Sequence, residues 1–197
     1  MAAELNSGAL VVAKDAQRSV LLAHPDSAGA AVAAIAVEAH LISPGQLVCR
    51  YALQGDTARV RLPQAPRAAR ADGLWRHTCF ELFVAPAGAA VYYEFNFSPA
   101  LAWAAYRFED YRRGMTPVPL TQAPRLQGRG GPAGLELAVT LDLAELADLA
   151  AAQRLQLALA AVVEDDAGHL AYWALRHAPG KPDFHHREGF ALELRAP

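Results

Sequence analysis

Residues 72–96 read DGLWRHTCFELFVAPAGAAVYYEFN. An Asp-Gly turn signal and Trp75 lead into the basic pair Arg76 and His77. Two β-type runs follow, Cys79–Ala85 and Val91–Phe97, joined by a short Pro/Gly loop. Successive side chains leave a strand on opposite faces, so Phe80, Leu82 and Val84 share one side and Glu81 and Phe83 the other. In the second run Val91, Tyr93, Phe95 and Phe97 share a face, with Tyr92, Glu94 and Asn96 opposite. Paired as a hairpin, the runs predict a sheet with a strongly apolar back and a front that carries two carboxylates and an amide. A polar set on an otherwise packed β surface marks a candidate binding site.

The same period extends in both directions. Leu10–Lys14 and Val20–His24 read as opening strands around a turn at Asp15–Arg18. In Val32–Ile42, Ile35, Val37, Ala39 and Leu41 face one way and Glu38 and His40 the other, and Ser43-Pro44-Gly45 ends the run. Leu47–Leu53 continues the pattern, and Thr57–Leu62 is predicted as a further strand with Val60 and Leu62 inward. Alternation of this kind belongs to antiparallel sheets with one solvated face. A Pro/Ala/Arg loop spans Pro63–Ala71, a strand Ala100–Phe108, and a long irregular segment Glu109–Gly134. Strands resume at Leu135–Leu141, Leu155–Val163, Leu170–Leu175 and Phe190–Arg195. One helix is predicted at Leu143–Ala150, with Asp142 as N-cap and Glu145 completing a capping box. Roughly ten to twelve strands with one short helix predict an all-β fold: a single-domain, two-sheet antiparallel β-sandwich of jelly-roll type over residues 1–197.

Composition excludes several functional classes. At 53% hydrophobic and 19% charged, the chain has ample apolar surface for one core. A net charge of −2 without any Lys/Arg block argues against nucleic acid as a partner. No apolar run is long enough to span a bilayer, so no membrane association is expected. The opening MAAELNSGALVVAK lacks the pattern of a signal peptide, which predicts a cytoplasmic location and buried free thiols at Cys49 and Cys79.

A second polar concentration, YWALRHAPGKPDFHHRE at Tyr172–Glu188, supplies Trp173, Arg176, His177, Lys181, Asp183 and His185 around two prolines. With Trp75, Arg76 and His77 and with Glu81, Glu94 and Asn96, it offers aromatic plates beside hydrogen-bonding groups. Sugars are held by that combination, their C–H faces on rings and their hydroxyls on forked polar groups. The competing reading neutralises Glu81 and Glu94 with Arg76, Arg107 or Arg176 in a cross-strand ion network. No metal site is expected, because adjacent histidines such as His185 and His186 point to opposite sides of an extended chain and no metal-binding spacing supports them. No nucleophile elbow or phosphate loop is present, so no catalytic residue is assigned. Glu81 and Glu94 would suit a sugar hydrolase or lyase, with His177 as a further candidate, if the carboxyls stood about 5 to 9 Å apart.

LWRHTCFELFVAP resembles the "W-x-D-(S/T)-x-E-(L/V)-F" strand of proteins like the family 9 carbohydrate-binding modules, a branch of the DOMON-like β-sandwich superfamily. YYEFNFSPALAWAAYRF resembles the "YYEFNFSPSG-x-W" hairpin of that family. YWALRHAPGKPDFHHREGFALEL is similar to the closing "W-x-L-x-H-x-x-G-K-P-D-F-H-x-x-x-x-F" of a bacterial stand-alone subgroup. The resemblance covers Trp75–Tyr111 and His169–Leu194. It implies a two-sheet sandwich binding a small ligand, a sugar first of all, on one face or mouth. Trp75, Arg76 and Glu81 match the first motif, with His77 where many relatives have an Asp. Glu94, Asn96 and Trp103 match the second; Trp173, His177, Lys181, Asp183 and His185 match the third. Together with Arg176 these are the expected ligand-binding residues, Glu81, Arg76 and Trp173 being expected side by side. No cofactor is expected. Haem-binding relatives use a Met and a His as axial ligands, which makes Met115 with a histidine the haem alternative, ranked below sugar binding.

Overall fold

Alternating burial organises the chain into two antiparallel sheets. The computed structural model describes residues 15–27, 31–62 and 68–195. Its strands are β1 Gln17–Val20, β2 Leu22–Ala23, β3 Val32–Ser43, β4 Gln46–Gly55, β5 Cys79–Pro86, β6 Tyr92–Phe97 and β7 Trp103–Phe108. They continue as β8 Thr116–Pro117, β9 Arg125–Gly131, β10 Gly134–Asp142, β11 Arg154–Glu164, β12 Leu170–Ala174 and β13 Leu192–Arg195, with one helix, α1, at Ala147–Ala150. The first sheet has the order β1-β3-β4-β10-β9, and the second β2-β12-β11-β5-β6-β7-β8 with β13 also on β11. The architecture is an all-β sandwich. No helix among the described residues is long and apolar enough to cross a membrane.

The inner faces meet in a continuous apolar layer. Ile35, Val37, Leu47, Tyr51, Leu137 and Val139 come from the first sheet, and Phe80, Leu82, Phe95, Phe97, Leu157 and Leu159 from the second. Burying such side chains is the main driving term for the fold. Tyr51 is fully buried and still satisfied, since its hydroxyl crosses the sandwich to donate to the Glu81 carbonyl at 2.8 Å. Cys49 and Cys79 are both buried and free.

Several expectations change. The strand at Leu10–Lys14 lies outside the described residues; the strand Gln17–Val20 begins inside the turn expected at Asp15–Arg18, and the strand expected at Val20–His24 is reduced to Leu22–Ala23. Thr57–Leu62 is not a strand: the Asp56 carboxylate accepts from the Ala58 N–H and caps a short 3-10 turn at Thr57–Arg59. The helix is one turn, because Glu145 does not fold back on its own helix. It accepts from the N–H and hydroxyl of Thr121 and from the Gln122 N–H. The segment Glu109–Gly134 is not irregular throughout. All of β9 pairs with β10, from Gly134 to Thr140, with Pro132-Ala133 turning between Gly131 and Gly134. Its glycines hid the strand from any side-chain pattern, while the open edge of β10 supplies backbone partners whatever the side chain.

One feature of the topology places the site. β5 occupies one edge of β11, and the other edge is shared end to end by β13 on Arg154–Leu157 and β12 on Ala160–Glu164. The chain leaves this edge after Ala174 and returns at Leu192. The intervening segment, 175–191, forms a strap over the outer face of the second sheet. Phe184 and Phe190 of the strap pack on Phe83, Tyr92, Phe108 and Ala158 in a second apolar cluster. The strap is why β5 and β6 are buried on both faces.

Candidate functional site under the strap

Glu81 of β5 and Glu94 of β6 project from the same outer face. The register pairs Glu81 with Asn96 and Phe83 with Glu94, which makes the two carboxylates diagonal neighbours. The strap leaves them 4% and 5% exposed. Between strap and sheet lies a cavity of about 500 Å³. Glu81, Glu94, Phe108, Val162 and Tyr172 contribute from the sheet. Pro182, Phe184 and His185 line it from the strap, and Trp75, Arg112 and Met115 at its rim. Trp75 sits in a 3-10 turn, Leu74–Arg76, which begins after Gly73 in the left-handed conformation at φ +76°. Its indole meets the Tyr106 ring edge-on at 5.8 Å between centroids.

Neither carboxylate is neutralised in the way the ion-network reading required. Arg107 pairs instead with Asp148 at 2.8 Å, while Arg76 and Arg176 are exposed and form no ion pair among the described residues. Glu94 Oε1 accepts from the Asn96 amide at 2.7 Å, and its Oε2 stands 3.8 Å from His185 Nε2. Burial raises the Glu94 carboxyl to about 6, against the opposing Asn96 hydrogen bond and the Arg112 charge. Glu81 is pushed well above the usual carboxylate range by burial and then by the Glu94 charge, with Arg112 opposing. Burial and mutual repulsion thus disfavour ionising both carboxyls at once.

The strap is riveted by Asp183. Its Oδ1 accepts from Arg112 Nη2 at 2.7 Å, from Arg112 Nε at 3.2 Å and from the His185 N–H at 3.1 Å, and its Oδ2 accepts from the Tyr111 hydroxyl. Burial alone would raise the Asp183 carboxyl, yet the Tyr111 and Arg112 hydrogen bonds hold it below its ordinary value. Arg112 occupies the left-handed region at φ +53°, a conformation that disfavours a side chain and that the ion pair stabilises. Its N–H donates to the Tyr92 hydroxyl at 3.1 Å, and that hydroxyl stands 2.8 Å from His185 Nδ1. Tyr92 has its own proton to donate to Nδ1, which assigns the imidazole proton to Nε2, facing Glu94. Burial, reinforced by Arg112 and opposed by Asp183, lowers His185 to about 4, so the ring is neutral at physiological pH.

Four of the expected residues, Trp75, Glu81, Glu94 and His185, line this one cavity. Asn96 and Asp183 support it from behind. Trp103 and Trp173 are corrections. Both turn inward to the core between the sheets, because Phe97 opposite Trp103 and Ala161 opposite Trp173 are inner-face positions. Trp173 therefore does not stand beside Glu81, and its strand neighbour Tyr172 takes the outer face. Arg76 is exposed, with no polar partner among the described residues. His77 is drawn away to Glu164 at 2.7 Å. His177 donates from Nε2 to the Leu22 carbonyl at 2.8 Å and packs against His24 at the far edge of the strap. Arg176 is exposed, and Lys181 opens on a neighbouring hollow beside Tyr111 and His186.

Side-chain pattern alone missed Arg112, Tyr172, Phe184 and Phe108. The signal for Arg112 was the length of its loop; the signal for Tyr172 was its alternation with Trp173. Among the described residues no three His, Cys, Asp or Glu side chains converge as metal ligands. Met115 is 53% exposed at the cavity rim, while His185 is committed to Tyr92 and faces Glu94.

No family model and no curated protein sequence matches the chain. Solved structures do. A candidate carbohydrate-binding protein from Bacteroides uniformis superposes with a TM-score of 0.63 at 15% identity, over 83% of this chain and 78% of that one. A family 9 carbohydrate-binding module from Caldicellulosiruptor kristjanssonii in complex with glucose superposes with a TM-score of 0.50 at 10% identity, over 87% and 80%. The same organism's module in complex with cellotriose gives 0.53 at 9%, over 86% and 77%. The chain is similar to these proteins in fold.

Proposed function

We propose that the chain binds a carbohydrate or sugar derivative, without catalysis, in the cavity between the strap and the second sheet. One observation carries this reading: Trp75, Tyr172 and Phe184 present rings around two buried carboxylates, an arginine and a histidine in a single cavity of about 500 Å³. Rings take the C–H faces of a sugar, and the polar groups take its hydroxyls. The volume suits a ligand of one to a few rings rather than the face of a polymer. The similar structures named for carbohydrate binding or solved with glucose and cellotriose support the same class of ligand. We place the protein in the cytoplasm, with a soluble metabolite as its ligand.

A thermal-shift screen with mono- and oligosaccharides tests the reading, since any ligand of the native state raises the melting temperature. A sugar that stabilises the native protein and loses affinity in Trp75→Ala and Tyr172→Ala supports it. A melt that no sugar moves overturns it.

The carboxylate pair favours one second reading, a sugar hydrolase or lyase. Glu81 and Glu94 are adjacent, and their environments push them apart in acidity. His177 takes no part, because it does not line the cavity. A measurable rate on a glycan panel, abolished by Glu81→Gln or Glu94→Gln, would select the enzyme over the binding module.

A further inference from the structure

Glu81 is buried in a cavity wall, yet none of the described residues donates a hydrogen bond to its carboxylate. Every other charged group of the wall is occupied. Glu94 takes the Asn96 amide at 2.7 Å and faces His185 Nε2 at 3.8 Å. Arg112, the wall's cation, has both Nε and Nη2 on Asp183. With Arg112 matched by Asp183 and His185 neutral, the uncompensated charge of the cavity is negative and lies on the Glu81–Glu94 pair.

That imbalance discriminates among sugars. A hydroxyl reaching Glu81 supplies a hydrogen bond but leaves the pair's charge unmatched in a site shielded from water. A carboxylate-bearing sugar adds a second negative charge and finds Arg112, the one Lys or Arg among the described residues lining the cavity, already paired with Asp183. An ammonium group supplies the hydrogen bonds and cancels the charge, and charge-assisted bonds of this kind are the stronger ones. Resting on the reading of the cavity as a sugar site, we propose that the ligand is an amino sugar whose protonated amine seats against Glu81 and Glu94. The raised Glu81 carboxyl is consistent with this: burial and the neighbouring Glu94 charge disfavour its ionised form, and a facing ammonium would favour it.

Titration calorimetry of the full chain at neutral pH, with 2-amino-2-deoxyglucose, glucose, N-acetylglucosamine and glucuronic acid, tests this. The amino sugar is expected to bind about tenfold or more tighter than glucose or its N-acetylated form, with glucuronic acid weakest. In Glu81→Gln, checked for a cooperative melt, the amino sugar's advantage over glucose, both measured on that same variant, is expected to vanish. Should glucose, N-acetylglucosamine or glucuronic acid match or exceed the amino sugar, the amine assignment is overturned and the sugar reading stands. Should the preference survive in Glu81→Gln, the placement of the amine is overturned. If none of the four binds, and the wider sugar screen is also silent, both readings fall. The wild-type ranking decides the ligand class even if the variant does not fold.

Discussion

Glu94 shows how placement overrides residue type. A carboxylate has no intrinsic reason to titrate at about 6; burial beneath the strap does that. Because its folded-state value is raised above 4.5, its contribution to stability is complete below pH 4.5 and is lost as pH rises through 6. The loss amounts to about 2 kcal/mol. Glu94→Gln keeps an acceptor for Asn96 and removes the charge. Its stability relative to the parent is expected to rise by that amount across the window and then level off, as read from denaturant midpoints at successive pH values. His185 has the opposite sign. Its value is lowered to about 4, so its contribution is complete above pH 6.5 and is lost as pH falls towards 4, up to about 3 kcal/mol. His185→Gln is expected to flatten that acid limb in the difference between the two stability profiles. An unchanged limb would mean that His185 takes up its proton without strain.

The strap is an interruption of a strand edge, held by side-chain packing and hydrogen bonds rather than by sheet ladders. Asp183 is the contact that joins it to the loop after β7, through Arg112 and Tyr111. Asp183→Asn weakens the ion pair and is expected to cost about 1 to 3 kcal/mol. The change should be local. Amide hydrogen exchange is expected to quicken across 176–190 while β5 and β6 keep their protection. Uniform quickening through the sheet would show instead that the strap is an integral part of the core. β9 makes the complementary case: a glycine-rich segment with no alternation is strand because β10 offers it a complete ladder.

Across the whole sandwich, burial governs the cysteines. Cys49 and Cys79 lie on different sheets, 1% and 0% exposed, and burial pushes both thiols above their ordinary range. Neither is expected to react with a thiol reagent in the native protein, and both should react in denaturant, at rates that follow global unfolding. Labelling of Cys79 under native conditions would show that the outer face opens through local motion of the strap.

The alternation at Val32–Leu53, Cys79–Phe97 and Leu135–Val163 was enough to establish strands, an antiparallel sandwich, its inner face and the shared face of Glu81 and Glu94, because period-two patterning is a local property of the chain. Whether Trp173 or Tyr172 would reach the cavity could not be read from the segment alone, since both are aromatic and a shift of one residue exchanges the faces. The pairing of Trp173 with Ala161 settles it. The strap's course over the outer face, the capture of Arg112 by Asp183 and the burial that shifts Glu81, Glu94 and His185 all depend on contacts between segments some 70 or more residues apart. Those contacts exist only once β12 and β13 share one edge of β11, and no local pattern encodes that arrangement.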